Sequence, residues 1–566
     1  MNTAPEMMDP THYDSLGELL WDALLTFKTE TALIEVERKV ESRRLTYLET
    51  KHEVGRVIHY LEGRGVGAGD RVAVMMSNQS RWLICATAAF YRGAVLVPLD
   101  YKLSADEQKA LLAHAGPKLL VTERSLMRRF KDAPPDVDHT FVVDEDWEKL
   151  PETTEPTPIV ERTRADLATI VYSSGTGGIA KGCLLTHDAY LEQLQGLMSR
   201  FPMHTGHRVF SILPTNHAID FMVGFVGPFS AGATVIHQRT LRPEFLQSTM
   251  RAYGVTHMAL VPLILSAFEE SIKEALTERP RWARRMVSLL GGLNEMLTAK
   301  EPNHALSRAL LKPVHEAFGG ELELLFCGGA FVDRARAEHF YRLGLPVVIG
   351  YGLTEVCTVA TVNDLSPFRA DTVGRPLDGV KIKIHEPGAD GVGEVWIKGR
   401  TLMSGYLDEP ELTAETITED GWLRTGDLGW MDAAHHLHLV GRSKNMIVTA
   451  GGKNVYPEDV EGAFEELEVE EVAVFASGFL WPAALDDEQL IAVIRPRRGN
   501  GIRERSKEAV LSQLRSKNRR LPDYKRVGAV LFWEEDFPRT ASMKVKRRVL
   551  AESLREDAAT SALVNL

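Results

Sequence analysis

The segment SSGTGGIAKG, Ser173 to Gly182, gathers the residue types that hold phosphate. It follows ATIVYS (Ala168 to Ser173), an apolar run whose β-branched and aromatic residues predict a strand. Glycines let backbone N–H groups approach phosphate oxygens. The hydroxyls of Ser173, Ser174 and Thr176 add donors, and Lys181 adds positive charge. The rival reading is the nucleoside-triphosphatase P-loop, GxxxxGK[ST], which this segment fails. Ala180 stands before the lysine where that loop has Gly, and Gly182 follows it where that loop has its magnesium-binding hydroxyl. The bland alternative is a glycine turn with no ligand. A second glycine cluster, GVGAGD (Gly65 to Asp70), precedes a strand instead of following one, so it reads as a turn and not as a dinucleotide site.

Other chemistry-bearing residues are scattered. Glu355 closes YGLTE (Tyr351 to Glu355), Asp427 lies in GWLRTGDLGW (Gly421 to Trp430), and Arg442 opens the charged part of GRSKNMIVTAGGKNVYPEDVE (Gly441 to Glu461). Lys544 lies in PRTASMKVKRR (Pro538 to Arg548) and His217 in PTNHAIDF (Pro214 to Phe221). Singly, each has an ordinary structural reading: a helix cap for Glu355, a turn for Asp427, a solvated lysine, a packed histidine. HHLH (His435 to His438) lacks further ligands at metal spacing and reads as strand and turn. Between Arg503 and Arg548 there are 14 Lys/Arg against 6 Asp/Glu. That excess suits either a solvated helical face or a surface receiving a polyanionic small molecule such as ATP or coenzyme A.

The elements that must position these residues follow an α/β pattern. RVAVMMS (Arg71 to Ser77) and AVLVPLD (Ala94 to Asp100) read as strands flanking the helical WLICATAAFYRG (Trp82 to Gly93). Strand, helix, strand at this spacing predicts a parallel sheet. Further strands fit ATVIHQ (Ala233 to Gln238), HMALVP (His257 to Pro262), LELLFCGG (Leu322 to Gly329) and PVVIGYG (Pro346 to Gly352). After Asp371 the texture turns to β: VKIKIHEPGADGVGEVWIKG (Val380 to Gly399) is two strands about a Gly/Asp turn. Residues 270–318 are rich in helix formers and basic residues. They predict an inserted helical hairpin and leave contact with a membrane surface open.

At 566 residues the chain exceeds the roughly 250–300 residues at which single cores stop growing, so two or more domains are expected. Apolar residues at 44% and charged residues at 25% describe an ordinary globular protein, and a net charge of −12 argues against nucleic acid as a partner. No apolar run reaches the roughly 18 residues of a membrane span, and the N-terminus does not read as a signal peptide. Four dispersed cysteines without a CxxC pair argue against disulfides or structural zinc and suit the cytoplasm.

Taken in order, the motifs resemble those of the acyl-adenylate-forming superfamily: acyl-CoA synthetases, peptide-synthetase adenylation domains and luciferases. SSGTGGIAKG is similar to that family's signature loop, and YGLTE and GWLRTGDLGW to its second and third ATP motifs. GRSKNMIVTAGGKNVYPEDVE resembles its interdomain motif and PRTASMKVKRR its C-terminal lysine motif. The resemblance runs from about Leu45 to Leu550 and implies an AMP-forming acyl-CoA synthetase. A carboxylic acid would react with ATP to an acyl-adenylate and pyrophosphate, then with coenzyme A to a thioester and AMP, reversibly in principle. The implied fold is a large N-terminal α/β domain with a β-rich subdomain, residues 1–441, and a small mobile α+β lid, 442–566.

The resemblance also implies roles. Ser173, Ser174, Gly175, Thr176 and Lys181 would hold the β- and γ-phosphates, Thr354 the α-phosphate, and Glu355 a Mg²⁺ ion, which prefers hard oxygen ligands. Gly328, Gly329, Ala330, Tyr351 and Gly352 would border the adenine, and Asp427 and Arg442 the ribose. Lys544 would bridge carboxylate and α-phosphate, His217 would gate the acyl pocket, and Lys444 would be the hinge. Gly451, Gly452 and Lys453 would face the thiol after the lid turns. Three departures, Gly177, Ala180 and Met543, replace a usual Ser/Thr, Pro and Gly; none removes a charged group, so activity with altered ATP affinity is expected. The YPEDVE stretch and the insertion before CGGA resemble long-chain fatty acyl-CoA synthetases more than acetyl-CoA synthetases. Two alternatives are an acyl-AMP ligase loading a separate carrier protein and a non-catalytic nucleotide-binding protein.

Overall fold

The computed structural model describes residues 7–130, 134–152, 155–173, 180–448, 454–464, 467, 469–481, 489–496, 503–539, 545–557 and 562–566. By contact the chain divides into two compact units. The first is Met1–Ile382 with Ile397–Leu423, and the second is Lys383–Trp396 with Arg424–Leu566. The expected boundary at 441/442 falls inside the second unit.

Two sheets carry the first unit. One has nine strands, six of them parallel: Val347–Tyr351, Leu324–Cys327, His257–Leu260, Arg208–Ser211, Thr234–Gln238 and Thr31–Glu37, in that spatial order. Antiparallel strands close both edges. These strands are short, continuous apolar runs, as strands buried on both faces must be. Phe210, Met258, Leu325 and Val347 are fully buried in the cluster beneath them. The second sheet, of seven strands, is parallel through Leu167–Ser173, Val95–Pro98, Arg71–Met75, Leu119–Thr122 and His139–Val142. The antiparallel strands Lys181–Thr186 and Gly405–Tyr406 extend it on one side.

The strands and the helix expected between residues 71 and 100 are present, the helix as Ser80–Tyr91. The insertion is helical, but as four helices: Pro262–Thr277, Arg281–Leu297, His304–Leu310 and Lys312–Ala317. Pro280, Pro302 and Pro313 account for the breaks, since proline supplies no N–H to a helix ladder and restricts the residue before it.

The second unit holds most of a four-stranded sheet, Lys381–His385, Gly393–Lys398, Leu423–Met431 and Leu437–Arg442 in that order. A further four-stranded sheet, Val469–Ala476, Leu490–Pro496, Val527–Phe532 and Val564–Asn565, packs Val474, Ile494 and Val530 into its own core with Leu514.

Candidate active site

Ser173 ends one strand and Lys181 begins the next, and the two are register partners in an antiparallel pair. The chain therefore leaves and re-enters the sheet at one point. Ser174, Gly175, Thr176 and Gly177 lie outside the described residues. Lys181 places its Nζ 5.1 Å from the ring centroid of Tyr406. The Tyr406 hydroxyl in turn donates to Oε1 of Glu355 at 2.9 Å. One aromatic ring thus joins the lysine of the first motif to the carboxylate of the second. Burial and the Glu355 charge hold the Tyr406 phenol well above its usual range, so it stays a donor. The Cys183 thiol, buried next to the same groups, is pushed up by burial and by Glu355 and stays neutral, which removes it as a nucleophile.

Glu355 sits in the single 3₁₀ turn Thr354–Val356 that follows the strand Val347–Tyr351. The turn ends on Cys357 at φ +68°, ψ −55°, and the Thr358 N–H donates to the Val356 carbonyl at 2.9 Å. This is a γ-turn in its strained hand, rare in proteins and typical of sites where the surroundings force the backbone. The Glu355 carbonyl also accepts the Met403 N–H at 2.9 Å. Gly352 lets the chain fold back, since a β-carbon there would stand 2.0 Å from the Thr358 carbonyl oxygen. Thr358 donates its hydroxyl to the Ala218 carbonyl at 3.2 Å, which ties this turn to the segment carrying His217.

His217 precedes the short helix Ala218–Phe221, which continues as the π-turn Met222–Val226. Ile219 packs against the loop Gly328–Gly329–Ala330 that leaves the strand Leu324–Cys327; its Cδ1 lies 3.5 Å from the position a Gly328 β-carbon would take. Adenine-side and acyl-side candidates of the first unit lie at the carboxyl ends of parallel strands of the nine-stranded sheet, where α/β sheets place ligands. The phosphate loop, at the carboxyl end of Leu167–Ser173 in the seven-stranded sheet, is tied to them through Tyr406 and Glu355. A small apolar cavity lies beyond the π-turn, lined by Met198, Phe201, Met203, Met222, Val223 and Phe326. Asp220 is fully buried here and accepts hydroxyls from Ser211 at 2.8 Å and Thr215 at 2.9 Å. Burial raises its carboxyl to about 7, against the pull of those two hydrogen bonds.

In the second unit, Asp427 and Arg442 are register partners on adjacent strands, and the guanidinium Nε donates to the carboxylate at 2.8 Å. Asp427 is buried, so the pair holds one fixed carboxylate edge. Lys444 is exposed in the turn Ser443–Asn445 directly after that strand. His435 takes a turn conformation at φ +63° and His438 lies in the strand Leu437–Arg442, with His436 and His438 both near Asp432. Gly451, Gly452, Lys453, Met543 and Lys544 lie outside the described residues. Sequence reasoning did not single out Tyr406, Asp220 or the Cys357 γ-turn. Tyr406 lies in a two-residue strand, too short for any periodicity, and nothing in a lone Cys signals a positive φ.

A family model described as "AMP-binding enzyme" matches residues 21–407. The chain belongs to the AMP-binding enzyme family. Among curated proteins it is 28% identical over 460 residues to the long-chain-fatty-acid–CoA ligase heimdall of Drosophila melanogaster, covering 74% of this chain and 67% of that enzyme. It is 33% identical over 313 residues to the long-chain-fatty-acid–CoA ligase ACSBG2 of Gallus gallus, covering 53% of this chain and 41% of that enzyme. The matched region thus spans about two thirds of the first relative's length and less than half of the second's. Among solved structures, ATP-bound MatB from Rhodopseudomonas palustris superposes with a TM-score of 0.75 at 24% identity, covering 96% of this chain and 99% of that one. That last likeness is one of fold.

Proposed function

We propose that this AMP-binding enzyme activates a fatty acid and transfers it to coenzyme A. It is an AMP-forming acyl-CoA synthetase, an acid–thiol ligase. The observation that carries the reading is the Lys181–Tyr406–Glu355 constellation, a cation and a carboxylate held apart by one ring at the mouth of the phosphate loop.

Joining a carboxylate to a triphosphate brings two anions together, so the site must neutralise charge and fix the line of attack on the α-phosphorus. Lys181, with Ser173 and the loop residues Ser174, Gly175 and Thr176, neutralises the β- and γ-phosphates, and Thr354 meets the α-phosphate. The Glu355 side chain fits a magnesium ion. Its Oε1 is held by Tyr406, and Oε2 has no hydrogen bond among the described residues, leaving a hard oxygen for a metal shared with phosphate. Bound there, Mg²⁺ would screen the triphosphate charge. The buried Asp427 carboxylate, fixed by Arg442, accepts hydrogen bonds from ribose hydroxyls. Lys544 aligns carboxylate and α-phosphate. A turn of the C-terminal segment about Lys444 then brings Gly451, Gly452 and Lys453 toward the thiol. The likeness to proteins named long-chain-fatty-acid–CoA ligases supports an aliphatic acyl group.

Four buried, unpaired cysteines suit the cytoplasm, the compartment proposed. The test is a panel of fatty acids of graded length with ATP, Mg²⁺ and coenzyme A. Acyl-CoA, AMP and pyrophosphate in equal amounts are expected; ADP and phosphate as products would overturn the assignment.

A further inference from the structure

The helix Arg281–Leu297 carries an apolar face that the fold leaves open. Trp282, Met286, Leu289, Leu293, Met296 and Leu297 are all exposed, with Trp282 at 67%, Leu289 at 75% and Met296 at 67%. At 3.6 residues per turn their spacings of 4, 3, 4, 3 and 1 put all six within an arc of about 100°. Large exposed apolar residues occur singly on any surface, but six on one stripe do not.

The stripe does not come from a loosely held helix. Its neighbouring face is anchored: Val287 and Leu290 pack on the core of the first unit, and Gly291 and Asn294 are buried. Asn294 accepts the Ser307 hydroxyl at 2.8 Å and donates to the Arg342 carbonyl at 3.3 Å. With that face fixed, the stripe has to point away from the core.

The charge pattern selects the partner. Arg279, Arg281, Arg284 and Arg285 flank the N-terminal half of the stripe, and no acidic residue occurs from Arg279 to Asn294. None of these four arginines is ion-paired among the described residues. The protein as a whole carries −12, so this is a basic, apolar surface on an acidic chain. An apolar stripe with Trp at one end and arginines along its edge is the pattern of a helix lying in a bilayer interface. No helix among the described residues is long and apolar enough to cross a membrane, so the helix would lie on the surface and not span it. An anionic headgroup layer over acyl chains matches both parts of this surface at once, the arginine edge and the apolar stripe.

We propose that the helix Arg281–Leu297 docks this enzyme on anionic lipid bilayers, its apolar stripe entering the headgroup boundary and its arginines contacting lipid phosphates. Docking is independent of the ATP chemistry and is read without it.

The full-length protein is sedimented with phosphatidylcholine vesicles, with and without phosphatidylglycerol, in the absence of ATP and coenzyme A. Binding is expected to the anionic vesicles and to weaken as salt is raised. Replacing Arg281, Arg284 and Arg285 together by Gln should lower the anionic-vesicle partition by about 10²-fold, taking ~1 kcal/mol per arginine near the surface. Leu289→Glu with Met296→Glu should abolish binding to the anionic vesicles. All five positions lie on the open helix, so melting temperature and ATP–pyrophosphate exchange with a soluble acid should stay unchanged, showing that the variants fold. Three results would each overturn the proposal: no binding of the wild-type protein to anionic vesicles, equal binding by the Leu289→Glu/Met296→Glu variant, or a concentration-dependent dimer that this variant dissolves while vesicles pellet nothing.

Discussion

Tyr406→Phe isolates the bond that joins the first and second motifs. The substitution removes one hydroxyl, which donates to Glu355 Oε1 at 2.9 Å, and keeps the ring that faces Lys181 at 5.1 Å. Tyr406 is buried, so no bulk water replaces the donor freely. A hydrogen bond to a charged group contributes about 1.5–3 kcal/mol. If that energy holds the carboxylate in its productive pose, the adenylation rate falls about 10- to 150-fold. Tyr406→Leu also removes the ring beneath Lys181 and adds a cation–π loss of roughly 0.5–2 kcal/mol. The assay is fatty-acid-dependent ATP–pyrophosphate exchange across a range of Mg²⁺ concentrations, with a melting curve for each protein. Tyr406→Phe should raise the Mg²⁺ concentration giving half-maximal exchange and lower the maximal rate, while shifting the melt only slightly. A merely structural hydroxyl would move the melt and leave the Mg²⁺ dependence alone. Exchange by Tyr406→Phe within twofold of wild type at every Mg²⁺ concentration, alongside an inactive Glu355→Gln, would refute the positioning argument.

Lys544→Ala should slow acyl-adenylate formation by on the order of 10²–10³, the usual loss for one charge-stabilising contact, with much less effect on thioester formation from preformed acyl-adenylate. Lys444→Pro fixes φ near −65° at the proposed hinge, so it should keep adenylation and lose transfer to coenzyme A in single-turnover assays. Asp220, whose carboxyl is raised to about 7 by burial, stabilises the fold only while protonated, and that stability is lost as pH rises from the unfolded value of 3.8 through 7. Asp220→Asn, neutral throughout, should flatten this part of the pH–stability curve, by up to about 4 kcal/mol if the full shift is expressed. His187, His207 and His315 have the opposite sense: burial lowers each to about 4, so the stability they contribute is present above pH 6.5 and lost as pH falls toward 4. Denaturant midpoints measured from pH 8 to pH 4 should therefore drop across that window, and replacing the fully buried His187 by Gln should reduce the drop.

Most of the first unit could be read from the chain because its parallel strands are buried on both faces. Such strands write themselves as unbroken apolar runs, and HMAL, LLFC and VVIGY are all found where the pattern puts them. The charged candidates stand out in the sequence for a different reason: each has a local motif around it, with Lys181, Glu355 and Arg442 at a strand end or turn and Asp427 within the strand Leu423–Met431. The structure pairs Asp427 with Arg442 across adjacent strands, and it links Lys181 to Glu355 through Tyr406. Tyr406 itself depends on long-range topology. Its strand has two residues, and its partner strand begins over two hundred residues earlier in the chain, so no local spacing announces it.

The same distinction explains where strain is stored. Glycine at a positive φ is visible in sequence, but Cys357 at φ +68° is not, because a cysteine carries no preference for that conformation. What forces it there is tertiary. Thr358 reaches the Ala218 carbonyl, Glu355 is held by Tyr406 and by the Met403 N–H, and Gly352 yields the space in which the turn closes. Three separate elements of the first unit thus pin a single turn from different sides, and Glu355, the carboxylate proposed for the metal, stands two residues before the strained Cys357. A carboxylate that binds a divalent ion against the repulsion of a triphosphate gains from having one geometry instead of many. The strained turn is the means by which the sheet, the strand Gly405–Tyr406 and the His217 segment impose that geometry before any ligand arrives.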